Sequence, residues 1–472
     1  MNGVDVSGTS PPAEVAPPRF HVMAKPTGAV CNLACTYCFF LDKELLYPGS
    51  PFRMSDETLE AYIRQLIEGH KTPQVTVAWQ GGEPTLMGLD FFRRAIELQE
   101  RYRRPGMTFE NTMQTNGTLL DDEWCEFLAA NDYLIGLSID GPRELHDAYR
   151  VNKSGRGTFD RVMNGLRLLQ KHGVEYNILT TVNRINADYP LEVYRFLRDE
   201  VGTEWIQLIP IVERLDSDGL GLRLEGTEVT DRSVRPEQFG RFMTTIFDEW
   251  VRNDVGSVYV QTFEAAVRNW LGMASSGMCV FNENCGGALA VEHNGDVYSC
   301  DHYVEPKYKL GNIAETQMVE LLGSDEQRQF GRDKSETLPG QCQRCDVRFA
   351  CHGECPKSRF AVSDDGEPGQ HYLCAGWYEF FTHIDHPLKT IVALRDEGRP
   401  MSDVMEIMRT QLPDLETLAS KTPRNSPCPC GSGLKSKHCH GDRRTVTPPE
   451  PTAYPMFVAE PRRRVTGLPT ET

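Results

Sequence analysis

Hydrophobic and polar positions alternate regularly between residues 20 and 210. Short apolar runs with the length of buried strands lie at Val75–Trp79, Tyr133–Ile139, Tyr176–Val182 and Trp205–Ile209. Stretches with helical apolar spacing separate them: Asp56–Gly69, Leu89–Arg101, Asp122–Ala130 and Phe159–His172, the last followed by Gly173, a typical helix stop. Repeated strand–helix units predict an α/β fold with a parallel sheet. About six units fit this length, so we expect a partial (β/α)6 barrel rather than a closed eight-stranded one.

The pattern changes after Pro210. Residues 213–235 are polar and Gly-rich and predict a long loop, whereas residues 236–274 predict two helices. Ala288–Glu292 and Val297–Cys300 read as two strands around Asn294-Gly295, a dipeptide typical of a type I′ hairpin turn. Residues 376–420 predict further helix.

These changes define the expected domain organisation. It consists of a disordered leader (1–18), the partial barrel (19–235), a cysteine-rich domain (236–385), a helical segment (386–424), a compact Cys/His module (425–441) and a Pro- and Arg-rich disordered tail (442–472).

Composition narrows the function classes. The chain has 472 residues and a net charge of −17, which argues against a nucleic-acid partner. The negative charge is consistent with a partner that has a locally basic surface, and it is equally consistent with a role in solubility alone. We expect no membrane span, because no run of about 18 apolar residues occurs. The first 18 residues lack a signal-peptide pattern, so we expect the chain in the cytoplasm. In that reducing compartment, 15 cysteines are better explained as metal ligands than as disulfides.

Three of the cysteines, Cys31, Cys35 and Cys38, follow the first predicted strand. Three thiolates can hold three corners of one [4Fe–4S] cube and leave the fourth iron open, as a catalytic centre requires. A zinc site that lacks one ligand is the alternative. Polar and Gly-rich segments end the next strands, where sites in such folds are built; they are Gln80–Pro84, Gln114–Gly117 and Ser138–Pro142, with Arg150 shortly after.

The run CNLACTYC, followed by Gly81-Gly82-Glu83-Pro84, resembles the radical S-adenosylmethionine (SAM) superfamily. The resemblance implies that SAM binds the open iron and is cleaved to a 5′-deoxyadenosyl radical. It also implies a SAM site that comprises Tyr37 before the third cysteine, Gly81, Gly82 and Glu83 at the amino group, and Ser138, Asp140 and Arg150 at the ribose and carboxylate. For Arg150, a surface salt bridge is the alternative.

Eight further cysteines resemble the SPASM domain of peptide-modifying radical SAM enzymes. The resemblance implies two more [4Fe–4S] clusters, three in all. Cluster I would take Cys279, Cys285, Cys300 and Cys355, and cluster II would take Cys342, Cys345, Cys351 and Cys374. Structural zinc sites are the alternative, since spacing alone suits either metal. Cys125, among apolar neighbours, is expected to be a core thiol.

Asp301 directly follows Cys300. In sulfatase-maturating members of the family an Asp at this point is proposed as the base, so the resemblance implies that Asp301 deprotonates the substrate side chain. A carboxylate that binds nearby backbone is the alternative, and His302 is the second candidate base.

The C-terminal run from Ser426 to Gly441 resembles the SEC-C motif. Three thiolates and one imidazole suit tetrahedral Zn²⁺; the expected ligands are Cys428, Cys430, Cys439 and His440. The module would dock a chaperone or a nascent chain, or it would be a zinc knob without a partner.

The leading hypothesis is a radical SAM oxidoreductase that converts a Cys or Ser of a sulfatase to formylglycine. Its expected partners are an unfolded or nascent sulfatase polypeptide and a flavodoxin- or ferredoxin-like electron donor. The alternatives are a maturase of a ribosomally made peptide and a non-catalytic iron–sulfur or zinc adaptor.

Overall fold

A computed structural model describes residues 19–214, 227–411, 421–427 and 435–436. The strands are β1 His21–Lys25, β2 Gln74–Trp79, β3 Thr108–Thr115, β4 Tyr133–Ser138, β5 Glu175–Val182, β6 Trp205–Pro210, β7 Tyr259–Val260, β8 Ala288–Glu292, β9 Asp296–Tyr298, β10 Lys309–Asn312, β11 Ala361–Val362 and β12 Pro368–Gln370. The helices are α1 Asp56–Gly69, α2 Leu89–Tyr102, α3 Asp122–Ala130, α4 Arg143–Asp147, α5 Phe159–His172, α6 Pro190–Arg195, α7 Pro236–Asn253, α8 Gln261–Trp270, α9 Met318–Leu322, α10 Asp325–Glu336, α11 Gly340–Gln343, α12 Arg348–Cys351, α13 Cys374–Asp396 and α14 Val404–Gln411.

One ten-stranded sheet dominates the fold, in the order β10-β9-β8-β1-β2-β3-β4-β5-β6-β7. Strands β1 to β6 are parallel neighbours in chain order, which confirms the predicted run of parallel strand–helix units. Because parallel strands end at the same edge, the segments that follow β1 to β4 meet there.

The cysteine-rich part of the chain extends this sheet. β8 pairs in parallel with β1 along its whole length, from His21 opposite Ala288 to Lys25 opposite Glu292. The sequence predicted the β8–β9 hairpin but not its place in the sheet. The hairpin then turns back, so Tyr298 in β9 lies opposite Ala290, at the level of Met23 in the middle of β1.

Local signals explain the helices that cover the sheet. The Ser55 side chain caps α1 by accepting a hydrogen bond from Thr58 N–H, and Gly173 ends α5 with a left-handed φ of 66°. The predicted bounds of α1, α3 and α5 are therefore confirmed. The two helices predicted within 236–274 are α7 and α8.

Helix α13 begins at Cys374 and packs along α7. A Cβ on Gly376 would lie 2.2 Å from the Pro236 carbonyl oxygen, so only glycine allows this approach. The contact fixes the position of the last cysteine of the cysteine-rich domain.

The predicted type I′ turn is wrong. Gly295 has a φ of 86°, but Asn294 has no positive φ, as a type I′ turn would require. The reason is local: the Asn294 side chain accepts a hydrogen bond from Asp296 N–H at 3.1 Å, while Gly295 N–H donates to the Glu292 carbonyl at 2.9 Å.

Several expectations lie outside the described residues: the leader 1–18, residues 215–226 of the predicted loop, residues 412–420, the four expected zinc ligands and the tail 442–472. The chain forms two compact units, 1–410 and 411–472. In the second unit, Pro427 and Lys435 form an antiparallel bridge, and Ser436 N–H donates to the Ser426 carbonyl at 2.8 Å. None of the helices in the described ranges has the length and apolar character needed to cross a membrane.

Candidate active site

Three thiols gather in the loop after β1; we call Cys31, Cys35 and Cys38 the N-terminal triad. Burial raises the pKa of Cys31 to about 12 and that of Cys35 to about 11; Cys35 and Cys38 act in the same direction on Cys31, and Cys38 does so on Cys35. The thiols are thus close enough to influence one another, and metal binding would release their protons. Leu33 N–H donates to Cys31 Sγ at 3.4 Å, a contact of the kind that tunes iron–sulfur centres.

The glycines after β2 pack against this loop. Gly82 N–H donates to the Gly28 carbonyl at 2.8 Å, and a Cβ on Gly82 would lie 2.0 Å from the Val30 carbonyl oxygen. Gly81 has a φ of 115°. Only glycine fits both positions, so the backbone after β2 is held directly beside the triad loop.

Glu83 turns inward rather than toward an open site. Its carboxylate is buried and accepts hydrogen bonds from Thr85 N–H, Thr85 Oγ1, Thr115 Oγ1 and Asn116 N–H at 2.6–3.1 Å. The expected contact between Glu83 and the SAM amino group stays a prediction. Glu83 joins the ends of β2 and β3, and Asn116 Nδ2 in turn lies 3.7 Å from Cys31 Sγ.

Asp140 is enclosed by the chain. It is 0% exposed and accepts hydrogen bonds from Tyr37 OH at 2.6 Å, Thr181 N–H at 2.9 Å and Arg150 Nη2 at 3.0 Å, and Arg150 Nε lies 2.9 Å from it as an ion pair. Burial acts to raise the Asp140 pKa, but Arg150, His146 and Tyr37 together outweigh it and the pKa is lowered. The expected contact between Asp140 and SAM stays a prediction.

The remaining predicted SAM residues lie around Asp140. Arg150 forms a buried ion pair with Asp140, so the surface salt bridge considered for it is wrong. Its guanidinium lies 5.6 Å from the centre of the Tyr37 ring. Ser138 accepts a hydrogen bond from Gln114 Nε2 at 3.0 Å at the end of β4.

Asp301 lies in a short 3-10 turn, Asp301–Tyr303, and its partner was not predicted. Lys25, the last residue of β1, is 0% exposed, and its Nζ lies 2.6 Å from Asp301 Oδ1 and 3.9 Å from Glu292 Oε1. Burial acts to raise the Asp301 pKa, but Lys25, His302 and Lys357 together outweigh it and the pKa is lowered. Asp301 thus forms an ion pair with Lys25, whereas the alternative considered for it was a contact with nearby backbone. The sequence feature that could have indicated this ion pair is a lysine at the end of an apolar strand.

His302, the second candidate base, faces a thiol. Its Nδ1 lies 3.5 Å from Cys355 Sγ, and burial lowers its pKa to about 4. The ring is therefore neutral near pH 7 and adjoins an expected metal ligand.

The eight thiols of the cysteine-rich domain separate into two groups, which we call auxiliary set I (Cys279, Cys285, Cys300, Cys355) and auxiliary set II (Cys342, Cys345, Cys351, Cys374). Burial raises the pKa of Cys300 to about 12, with Cys279 and Cys285 acting in the same direction. Burial likewise raises the pKa of Cys374 to about 11, with Cys342 and Cys345 acting alongside it. The interleaved ligation that the resemblance implied stays a prediction.

These groups fit iron–sulfur clusters. In the described ranges, no group of three His, Cys, Asp or Glu side chains is arranged to hold a metal ion. Sets of three and four thiols are nevertheless the donors that [4Fe–4S] cubes take. The remaining cysteine, Cys125, is 0% exposed, which confirms its expected place in the core.

Family comparisons agree with this geometry. The family models described as "Radical SAM superfamily", "Iron-sulfur cluster-binding domain" and "SEC-C motif" match residues 26–197, 279–346 and 424–442. The serine-type anaerobic sulfatase-maturating enzyme of Bacteroides thetaiotaomicron is 51% identical over 371 residues, 77% of this chain and 89% of the relative.

Two further relatives extend the comparison. The cysteine-type enzyme of Clostridium perfringens is 32% identical over 372 residues, 78% of this chain and 96% of its own. A solved structure described as native anSMEcpe with bound AdoMet and Cp18Cys peptide has a TM-score of 0.70 and 31% identity, and the match covers 79% of this chain and 98% of that one. With its thiol triad, its iron–sulfur domain and these relatives, the chain belongs to the radical SAM anaerobic sulfatase-maturating enzymes.

Proposed function

We propose that the chain oxidises a Ser or Cys residue of a sulfatase polypeptide to formylglycine. The observation that carries the proposal is the buried Lys25–Asp301 pair at 2.6 Å, at the end of the strand that leads into the N-terminal triad. Asp301 follows Cys300 of auxiliary set I, and Lys25 ends the strand before the triad, so the pair would supply a proton acceptor between the two thiol sets. The serine-type relative at 51% identity favours Ser as the target, and the peptide in the related structure supports a polypeptide substrate.

Cys31, Cys35 and Cys38 would hold one [4Fe–4S] cluster with SAM at its open iron, and six parallel strands would curve around them as a partial barrel. When bound, these groups supply a 5′-deoxyadenosyl radical. Gly81, Gly82, Ser138 and Arg150 would contact SAM. Tyr37, Glu83 and Asp140 would hold those contacts in position through the hydrogen bonds described above.

Asp301 would act after a hydrogen atom has been removed from the Cβ of the substrate residue. It would accept the proton of the hydroxyl or thiol as the carbon–heteroatom bond becomes double and one electron is released. Ser would give the aldehyde directly; with Cys, water would then replace the sulfur and hydrogen sulfide would leave. Lys25 would keep the carboxylate ionised and aimed, because a cation at 2.6 Å favours the charged form. His302 would not face this proton, because its Nδ1 lies 3.5 Å from Cys355 Sγ.

Auxiliary sets I and II would each hold one [4Fe–4S] cluster, three in the chain, and would supply a path for the electron that the oxidation releases. A flavodoxin- or ferredoxin-like protein would be the electron donor. Cys428, Cys430, Cys439 and His440 would hold Zn²⁺ in the SEC-C module, which would dock a chaperone or nascent chain.

The test is an anaerobic incubation of reconstituted enzyme, SAM and reductant with a Ser-type and a Cys-type sulfatase peptide, followed by mass spectrometry. Formylglycine from Ser lowers the peptide mass by two hydrogens. Formylglycine from Cys lowers it by the same hydrogens and by one sulfur-for-oxygen exchange. A thioether product, or unchanged peptides beside 5′-deoxyadenosine, would contradict the proposal.

A further inference from the structure

The segment from Cys351 to Cys355 joins the two auxiliary sets, since Cys351 belongs to set II and Cys355 to set I. The three residues between them, His352, Gly353 and Glu354, all have left-handed φ angles, of 46°, 71° and 53°. Two of the three are not glycine, and such residues adopt this conformation only when their surroundings impose it. Something must therefore hold the segment.

The Arg359 guanidinium holds it. Its Nε donates to the Gly353 carbonyl at 2.7 Å, and its Nη2 donates to the carbonyls of His352 at 2.8 Å and Glu354 at 3.0 Å. A Cβ on Gly353 would lie 2.7 Å from Nη2, so the glycine makes room for the guanidinium. A fourth hydrogen bond runs from Nη1 to the Lys334 carbonyl in α10. One side chain thus fixes the whole left-handed turn.

Lys334 brings a second buried cation to auxiliary set I. It is 0% exposed, and its Nζ donates to the carbonyls of Cys279 at 2.9 Å, Val280 at 2.8 Å and Asn282. Within the described ranges, no carboxylate forms an ion pair with it, and the nearby Glu354 pairs with His371 instead at 2.7 Å. Burying a cation without a counter-charge is costly, so a negative group is expected beside it.

The two cations contact different parts of the thiol sets. Lys334 Nζ donates to the carbonyl of Cys279, a member of set I. Arg359 binds the turn that lies between Cys351 of set II and Cys355 of set I. Lys334 therefore belongs to one centre, whereas Arg359 lies between the two.

We propose that Lys334 and Arg359 are positioning residues that set the reduction potentials of the auxiliary centres, Lys334 for cluster I and Arg359 for both. This inference rests on the proposed function, because it takes the two thiol sets to be cluster ligands. A cluster held by four thiolates is net negative and gains further negative charge on reduction. A fixed buried cation favours the reduced form and raises the potential. Arg359 also holds the turn that spaces the two centres.

The experiment is a potentiometric titration of the anaerobically reconstituted full chain, followed by electron paramagnetic resonance. Variants that lack the N-terminal triad cysteines identify the auxiliary signals. Lys334→Gln and Arg359→Gln remove the two charges. Arg359→Lys keeps the charge but loses the planar set of donors. Arg332→Gln is the matched control: Arg332 lies on the same helix with its side chain 47% exposed.

We expect Lys334→Gln to lower the midpoint potential of one auxiliary cluster and Arg359→Gln to lower the midpoint potentials of both. In each case the expected shift is about 59 mV, which corresponds to a tenfold change in the one-electron equilibrium. Arg359→Lys should stay near the wild-type midpoints, and Arg332→Gln should not move them. If Arg359→Gln loses its iron, Lys334→Gln and Arg359→Lys still decide the question. Unchanged midpoints in Lys334→Gln, or equal shifts in Arg332→Gln, would overturn the proposal. Iron content and formylglycine yield of the wild type test the proposed function separately.

Discussion

Lys25 and Asp301 lie 2.6 Å apart and are both enclosed, so their charges depend on each other. The folded-state pKa of Asp301 is lowered below its unfolded value of about 3.9. The pair's contribution to stability is therefore fully present above about pH 4 and is lost as the pH falls through the folded-state pKa. The carboxylate is ionised at neutral pH and is available to accept a proton.

Replacing Asp301 with Asn should separate the two halves of the reaction. Asn cannot accept the proton, so formylglycine should form about 10²–10⁴-fold more slowly. The N-terminal triad is unchanged, so 5′-deoxyadenosine should still form. Chromatography of both products from one reaction measures the ratio. Full formylglycine yield in Asp301→Asn would exclude Asp301 as the base.

Replacing Lys25 with Met should leave a buried carboxylate without its counter-charge. Breaking one side of such a pair costs about 3–5 kcal/mol, and the Asp301 pKa should rise. Denaturant unfolding of Lys25→Met and of the double variant with Asp301→Asn measures the coupling. Lys71→Met, at an exposed lysine, is the control. A double variant as unstable as the sum of the single variants would show that the two residues do not interact.

Among the elements, helices were predicted best, because their signals are local. The apolar face and the Ser55 cap delimit α1, and Gly173 delimits α5. The pairing of β8 with β1 could not be predicted in this way, because it joins distant parts of the chain. The Lys25–Asp301 pair depends on that pairing and was missed for the same reason.

Prediction of the candidate site also succeeded where the sequence pattern is local and failed where contacts join distant parts of the chain. The triad and the glycines after β2 carry a local pattern, so their location was predicted. Whether a carboxylate points into the site depends on packing that no local pattern encodes. Glu83 and Asp140 each accept hydrogen bonds from neighbouring strand ends that the sequence did not predict, while their expected contacts with SAM stay predictions.

The turn after β2 offers a test at this scale. In Gly82→Ala, the new Cβ would lie 2.0 Å from the Val30 carbonyl oxygen, so the triad loop must move. We expect a loss of about 1–3 kcal/mol of stability together with weaker SAM binding. Gly287→Ala is the control, because nothing lies within 4 Å of its Cβ position. Unfolding curves and SAM titration measure both effects, and equal behaviour of the two variants would refute the close contact.

At the scale of the whole molecule, residues 411–472 form a separate unit, which includes the SEC-C motif at residues 424–442. The serine-type relative matches 77% of this chain and 89% of its own length. We expect a chain that ends at Gln411 to keep its iron and to form formylglycine from a short peptide at the full-chain rate, while losing the zinc proposed for the SEC-C module. The Cys428→Ser variant of the full chain should likewise keep its iron and its rate of formylglycine formation and lose the zinc. A slower reaction in either variant would assign the module a part in catalysis.

The central claim is that a radical formed from SAM removes a hydrogen atom from the substrate Cβ. A sulfatase peptide with deuterium at both Cβ positions tests it directly, with mass spectrometry of both products. The account predicts one deuterium in 5′-deoxyadenosine and one retained in the formylglycine aldehyde. Formylglycine accompanied by deuterium-free 5′-deoxyadenosine would contradict it.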